Sequence, residues 1–479
     1  MSVDHFSTAT ALLSALRAKE VSAVELARMY IQRIEDLDGA LNAIPVRTFD
    51  RALAQAAAAD AQLAAGEAAP LLGLPMTLKE SCMVEGLPQT AGIEAFKGYV
   101  PAADGDLPSR TFNAGAGLLG KTNIPVALGD WQADSPVYGR TNNPWDLSRT
   151  PGGSTGGGGA ALAAGLTPLE LGSDIGGSIR VPAAYCGVWG HRPTETVIPR
   201  SGAFPMADAP NALFLMAVQG PLARSAVDLE LYFDVLAGPE VGEDAGWRLD
   251  LPSSRAETLD GFRIGVVREI GEIRPSSQML GRLDALAGFL SDCGAHVEEV
   301  NLPFDPMPFM QEYVKLLVVL TSLGQPEEDR QAAAAEMRSQ GDWQSLAMAD
   351  GMTLSASDYV MLGAGREFYR AAWRDFFTGY DVVITPTALD APFPHQDAPQ
   401  GQRVLTVDNE EVNYFNNVFF PSLAIFTGQP ATAFPAGLDS NGLPLGLQAI
   451  GPYLEDRTTL RFAQLLESEW QGFVAPPGY

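Results

Sequence analysis

The chain has 479 residues, 46% of them apolar and 9% aromatic, enough to bury a large core. It carries 58 acidic residues against 31 Lys and Arg, a formal net charge of −27, the reverse of the basic footprint that a nucleic-acid partner requires. Its start has no signal-peptide layout and its longest aliphatic cluster, Leu316 to Leu320, is far too short to span a bilayer, so a cytoplasmic protein without a membrane partner is expected.

Ser22 followed three residues later by Glu25 predicts a capping box, and Leu26, Met29, Tyr30, Arg33 and Leu37 continue the helix at its period. An alanine-rich helix over Asp50 to Leu63 follows, and the two predict an N-terminal helical layer, residues 1–66, on a sheet face. Leu71 to Leu78, interrupted by Gly73 and Pro75, reads as an edge strand or as a strand that feeds Lys79 into the interior. The three cysteines, Cys82, Cys186 and Cys293, lie far apart without Cys-x-x-Cys spacing and read as reduced thiols. Gly115, Gly117 and Gly120 match the dinucleotide G-x-G-x-x-G pattern, which needs a strand before it and a helix after. Here Pro108 to Ala116 reads as a helix end and Gly117 to Lys121 as the start of a strand.

From Thr150 to Thr194 a glycine run surrounds Ser154, a small-residue helix follows, and a Ser-Asp-Ile-Gly-Gly-Ser-Ile-Arg turn carries Ser178 and Arg180. A serine hydroxyl is a poor nucleophile until a neighbouring base takes its proton, and the oxyanion it creates needs donors already in place. The amides of Ile175, Gly176 and Gly177 are the candidate oxyanion hole. Asp174 and Arg180 read as a clamp that aims them; Asp174 as a turn cap and Arg180 as a substrate contact are the alternatives. Gly152-Gly153-Ser154-Thr155-Gly156 also fits the G-x-S-x-G nucleophile elbow, for which His191, His296 or His395 would have to supply the base. That reading leaves Lys79 and the Gly176 to Arg180 turn unexplained.

Beyond Thr194, strands over Phe262 to Val267 and His296 to Val300 flank a helix over Ser277 to Leu290, an alternation typical of α/β layers. Met307 to Phe377 is mostly helical and richer in charge. Core strands return at Asp381 to Thr387 and Gly442 to Gly451.

These segments resemble the amidase signature family, serine hydrolases that cleave carboxamides with a Ser-Ser-Lys triad. Gly152 to Gly156 is similar to its first serine loop, Gly176-Gly177-Ser178-Ile179-Arg180 to its nucleophile turn, and Leu74 to Glu80 to the strand that carries its lysine. Gln89 to Gly92, Lys121 to Pro125, Asn142 to Asp146, Ser201 to Pro205, Gln219 to Arg224 and Gly442 to Gly451 resemble further landmarks, so the likeness spans roughly Ser22 to Leu466. Two departures stand out: His191-Arg192-Pro193 where relatives commonly have Leu-Lys-Pro, and Glu80 where an aspartate follows the lysine.

The resemblance implies an α/β fold with α/β/α layers around a large twisted mixed sheet. It implies one amidase domain over 1–479, with a signature core at 67–225 and a helical insertion at 305–380 near the active-site mouth. It assigns Lys79 as base, Ser154 as proton relay and Ser178 as acyl acceptor, with no metal or cofactor. A lysine near its reference value of about 10.4 is almost wholly protonated at neutral pH, so the base must be desolvated, and a depression of about three units corresponds to roughly 4 kcal/mol. The expected substrate is a small or medium, apolar amide; anilides, esters or carbamates are served by the same acyl transfer. A homodimer is compatible with this reading. Tyr414, Phe415, Phe419, Phe420 and Phe426, with Val314, Leu317, Val318 and Leu320, are expected to wall an apolar funnel. Three alternatives stay open: an amidotransferase subunit that needs partners, a nucleotide-binding oxidoreductase using Gly115 to Gly120 with Asp134 as its acidic residue, and a non-enzymatic scaffold.

Overall fold

The computed structural model describes residues 3–205 and 215–479. In chain order its helices are α1 (Ala9–Arg17), α2 (Ala23–Leu41), α3 (Phe49–Ala64), α4 (Asp106–Asn113), α5 (Gly156–Ala163), α6 (Arg180–Cys186) and α7 (Ala226–Leu236). They continue as α8 (Ser277–Asp292), α9 (Pro306–Thr321), α10 (Glu327–Gln340), α11 (Trp343–Met352), α12 (Ala356–Phe376), α13 (Phe419–Ile425) and α14 (Asp456–Glu469). The strands are β1 (Val46–Arg47), β2 (Pro75–Lys79), β3 (Gly117–Thr122), β4 (Asp134–Ser135), β5 (Gly139–Arg140), β6 (Leu169–Asp174), β7 (Trp189–Arg192) and β8 (Val218–Ala223). After them come β9 (Arg263–Val266), β10 (His296–Glu299), β11 (Val382–Pro386), β12 (Val404–Val407), β13 (Glu410–Asn413), β14 (Ala431–Leu438) and β15 (Pro444–Ile450).

Among the described residues, eleven strands form one mixed sheet in the order β1-β3-β2-β6-β8-β7-β14-β15-β11-β9-β10. Strands β3, β2 and β6 are parallel neighbours, as are β11, β9 and β10, while the strands between them run antiparallel. Side-chain alternation gives each face its own core: Val382 and Ile384 of β11 join one buried cluster and Val383 the other. The first cluster holds apolar residues of α1, α2, α3, α7, α8 and α14; the second holds those of α9, α12 and α13. This is the expected α/β arrangement around a large mixed sheet. No helix among the described residues is long and apolar enough to cross a membrane.

Local chemistry explains the elements that position the site. Ser22 Oγ accepts from the Glu25 amide at 3.1 Å and Glu25 Oε2 accepts from the Ser22 amide at 2.9 Å, closing the expected capping box. β2 is not an edge strand: it lies between β3 and β6 and every residue of it is buried. Pro75 is tolerated there as the first residue of the strand, where a missing ladder donor costs least. As the strand-start reading of Gly117 to Lys121 expects, β3 rather than a helix follows Gly115, so the dinucleotide pattern lacks its structural context. Close packing accounts for Gly120, where an added Cβ would lie 2.3 Å from the Val46 carbonyl oxygen of β1. At the opposite edge, β10 pairs among the described residues with β9 alone and exposes His296, Glu298 and Glu299, charges that discourage a further strand from joining.

Candidate active site

Three parallel strands end side by side and deliver the site. Lys79 closes β2, opposite Thr122 at the end of β3, and Asp174 closes β6 just before the turn that carries Ser178. Helix α5 starts beside them, with Ser154 and Thr155 at its N-terminal end and a cis peptide between Gly153 and Ser154. The helix reaches this close only because its first turn is glycine. A Cβ on Gly157 would sit 2.3 Å from the Asn123 amide nitrogen and 2.6 Å from the Ala43 carbonyl oxygen.

Lys79 is 0% exposed and its Nζ donates to Ser154 Oγ at 2.7 Å, Ser173 Oγ at 2.9 Å and Thr155 Oγ1 at 3.0 Å. Three hydroxyls thus satisfy the amine without a carboxylate in contact. Burial pulls its proton affinity down to about 7, against opposing pulls from Cys82, Asp174 and Glu170. Ser154 and Lys79 are therefore brought together as expected; Thr155 and Ser173 were not foreseen, although both stand inside the glycine motifs.

Ser178 is 6% exposed, and among the described residues its hydroxyl has no protein partner. Its carbonyl accepts from the Thr155 amide at 3.2 Å, which ties the two serine turns together. Asp174 and Arg180 form a fully buried bidentate pair, Nε to Oδ2 at 3.0 Å and Nη2 to Oδ1 at 3.1 Å. Burial alone would raise the Asp174 carboxyl; the charge and hydrogen bonds of Arg180, with Arg192 and the Gly177 amide, outweigh it and hold the group below its ordinary range. Arg180 Nη1 also donates to Gln448 Oε1 of β15 at 2.6 Å and to the Pro421 carbonyl of α13 at 3.1 Å. Within this clamp Asp174 caps the turn, accepting from the Gly177 amide at 3.0 Å and the Ile179 amide at 3.3 Å. That bond corrects the oxyanion assignment for Gly177, whose amide is already spent. The amides of Ile175 and Gly176 have no protein acceptor among the described residues.

A second buried acid sits behind the lysine. Glu170 of β6 accepts from Thr77 Oγ1 at 2.5 Å and Thr122 Oγ1 at 2.6 Å, and burial lifts its carboxyl to about 7. Glu80 accepts from the amides of Thr90 and Ala91, the Thr90 hydroxyl and the Tyr138 phenol, so this departure from the family pattern organises the loop after β2. Of the other departure, Arg192 donates to the Asp174 carbonyl at 3.2 Å, whereas His191 turns away to Thr432 and Asp456. His296 pairs with Glu298 and His395 with Asn142, so no histidine hydrogen-bonds either serine. The three cysteines are free thiols, and burial pushes Cys82 up to about 12 and Cys186 higher still. No cluster of three or more His, Cys, Asp or Glu suited to a metal occurs among the described residues.

The expected funnel is corrected in part. Phe419, Phe420 and Phe426 are 0% exposed, and Val314, Leu317 and Val318 are buried in the same core cluster. Phe426 packs edge-on to Phe309 at 5.3 Å and lies 5.5 Å from Tyr369, inside the wall rather than on it. Tyr414 is 1% exposed and belongs to the same cluster, whereas Phe415 is half-buried. Their ring centroids lie 5.2 Å and 6.3 Å from that of Trp131, whose Nε1 donates to the Gly176 carbonyl at 3.0 Å. An aromatic group of Trp131, Tyr414 and Phe415 therefore adjoins the Ser178 turn through Trp131, and Phe415 is its half-buried member.

The amidase family model matches residues 25–460, a span that includes every element of this site. The chain belongs to the amidase signature family. It is 32% identical to a subunit of the glutamyl-tRNA(Gln) amidotransferase of Ralstonia nicotianae over 505 aligned positions, covering 97% of this chain and 98% of that one. Among solved structures it resembles a bacterial aryl acylamidase of the amidase signature family, with 26% identity, a TM-score of 0.81 and coverage of 98% and 97% of the two chains. A chain from an inhibitor-bound vestigial protein complex, connected with the origins of an s-triazine catabolic enzyme, superposes with a TM-score of 0.82 at 28% identity, covering 98% of this chain and 99% of that one. Membership makes the chain a hydrolase of C–N bonds.

Proposed function

We propose that the chain is an amidase that hydrolyses a small or medium, apolar carboxamide through an acyl-enzyme on Ser178. The observation that carries this reading is Lys79, a buried amine held by three hydroxyls with its proton affinity lowered to about 7. Neutral Lys79 accepts the proton of Ser154, Ser154 takes that of Ser178, and Ser178 Oγ bonds to the carbonyl carbon as the carbonyl π pair moves onto oxygen. Free amides of the turn receive that charge. Collapse of the tetrahedral intermediate breaks the C–N bond, and the proton returns from Lys79 through Ser154 to the departing amine. Water then repeats the sequence on the ester, releasing the acid and restoring Ser178. The contact between Ser154 and Ser178 closes with substrate in place, as catalytic hydrogen bonds commonly do.

A fluorophosphonate probe followed by peptide mass spectrometry is expected to label Ser178. Label on Ser154 instead would replace this reading with the nucleophile elbow. A second reading, that anilides, aryl esters or carbamates are preferred, is favoured by Trp131, Tyr414 and Phe415 beside the turn. A panel matching one acyl group with alkylamine, aniline, alcohol and phenol leaving groups separates the two.

A further inference from the structure

Beyond the triad, we propose that Tyr313 and Trp131 are positioning residues for the oxyanion hole, Tyr313 fixing the peptide plane that carries the Gly176 N–H and Trp131 the plane that follows it. This deepens the acyl-transfer reading and rests on it.

A trans peptide is planar, so its C=O and N–H point in opposite directions and fixing one aims the other. In the Ile175–Gly176 peptide, the carbonyl of Ile175 accepts from the Tyr313 hydroxyl at 3.2 Å, which directs the Gly176 N–H to the opposite side. In the Gly176–Gly177 peptide, the carbonyl accepts from Trp131 Nε1 at 3.0 Å and the N–H donates to Asp174 Oδ1 at 3.0 Å, so both ends are held. The first plane keeps one free end, the Gly176 N–H, which has no protein acceptor among the described residues. A Cβ at Gly176 would meet only Val418 Cγ2, at 3.9 Å, so that flank of the turn has room.

External anchors are needed here because of the sequence. Two consecutive glycines, the second at φ +89°, let a peptide plane swing at little cost, whereas an oxyanion donor must wait about 2.7–3.1 Å from where the charge develops. Both anchors are themselves rigid. Tyr313 on α9 is 0% exposed and meets Phe426 edge-on with ring centroids 6.3 Å apart, and Phe426 is backed by Phe309 and Tyr369. Burial, with the Asp174 charge adding to it, keeps the Tyr313 phenol protonated and therefore a donor. Trp131 is flanked by Tyr414 and Phe415, and its carbonyl accepts from Thr150 Oγ1 at 2.7 Å. The helical segment remote from the signature turns thus reaches the reacting centre through one hydroxyl.

The test uses Tyr313→Phe, which keeps the ring and removes the O–H, and Trp131→Phe, which removes the indole N–H. Each is expected to lower kcat by about 10-fold, less than the roughly 10²–10³-fold seen when an oxyanion donor itself is deleted, with KM unchanged. The affinity of a trifluoromethyl ketone, which adds Ser178 Oγ and carries its oxyanion in the same place, is expected to fall in step with kcat/KM. The affinity of the product carboxylate is expected to hold. Folded variants with parental kcat and ketone affinity overturn the proposal. So does a rise in KM alone, which would make these side chains substrate contacts. Should Tyr313→Phe fail to fold, Trp131→Phe and replacement of Tyr313 by 3-fluorotyrosine, a stronger donor of the same shape, decide it: an unchanged kcat in both refutes it. Acylation of the parent protein by a p-nitrophenyl ester is measured alongside. A parent not acylated on Ser178 removes the underlying reading, whereas an acylated parent with unaffected variants removes only this one.

Discussion

The base proposed here, Lys79, has to be buried to serve as one, and in that mechanism its charge becomes the limiting quantity. In the proposed mechanism the active form is the neutral amine, so kcat/KM is expected to rise through pH 7 as the proton leaves and to level off above it. A pH–rate profile in one ionic-strength-matched buffer series checks this. Lys79→Ala is expected to lower kcat by at least about 10³-fold and to be no milder than Ser154→Ala, since a water can replace a relaying hydroxyl but not the amine. Glu170 offers a finer measurement. Its negative charge raises the proton affinity of Lys79, so Glu170→Gln should move the midpoint of the profile to lower pH while the protein stays folded, because the amide still meets the hydroxyls of Thr77 and Thr122. A midpoint that stays put shows that the two groups are not coupled, and one that moves to higher pH shows that the Glu170 charge does not raise the proton affinity of Lys79. At this scale the sequence was readable where chemistry is contiguous: Lys79, Ser154, Ser178, Asp174 and Arg180 all stand in short motifs. Glu170 was not, since a single acid in an apolar strand carries no pattern until β2 and β3 bring Thr77 and Thr122 to it.

Among the elements, α9, α12 and α13 show how an apolar stretch is misread. Aromatic residues at Phe419 and Phe426 had the composition of a substrate wall, but a helix packed on both sides and a helix lining an opening share that composition. Only their neighbours tell them apart. Phe426 lies in one cluster with Phe309, Tyr313 and Tyr369, and Arg366 of α12 inserts alongside to pair with the buried Glu195. Phe426→Ala is therefore expected to cost about 3–5 kcal/mol of stability, the usual result of emptying a packed aromatic site. Urea denaturation measures it. A loss below about 1 kcal/mol, together with a changed ranking of substrates, would return Phe426 to the pocket wall. Phe415 is the contrasting position. Half-buried beside Trp131, it should alter KM and leaving-group preference when shortened to Ala, with little loss of stability. Helix starts such as Ser22, by contrast, were readable to the residue because a cap is a local hydrogen-bond contract.

For the whole molecule, the mixed sheet was legible only as a class. Alternating helices and strands pointed to α/β layers, but the antiparallel run of β8, β7, β14 and β15 joins two pairs of consecutive strands through the pairing of β7 with β14, which lie far apart in sequence, and no local pattern encodes that pairing. Net charge belongs to the same scale and bears on the choice between a free-standing amidase and an amidotransferase subunit. With 58 acidic residues against 31 basic ones, the net charge disfavours a polyanion, and at moderate ionic strength a concentrated basic patch would be needed to reverse that. The purified chain is therefore expected to hydrolyse a simple apolar amide without any partner, and to leave the gel mobility of tRNA unchanged at salt concentrations near 0.1 M. The two measurements separate the alternatives because each has its own failure. Activity that appears only when a second protein is added would make the chain part of a larger enzyme, whatever its charge. Retardation of tRNA by the lone chain would show that its acidic excess is confined to one face and that another face was built for nucleic acid.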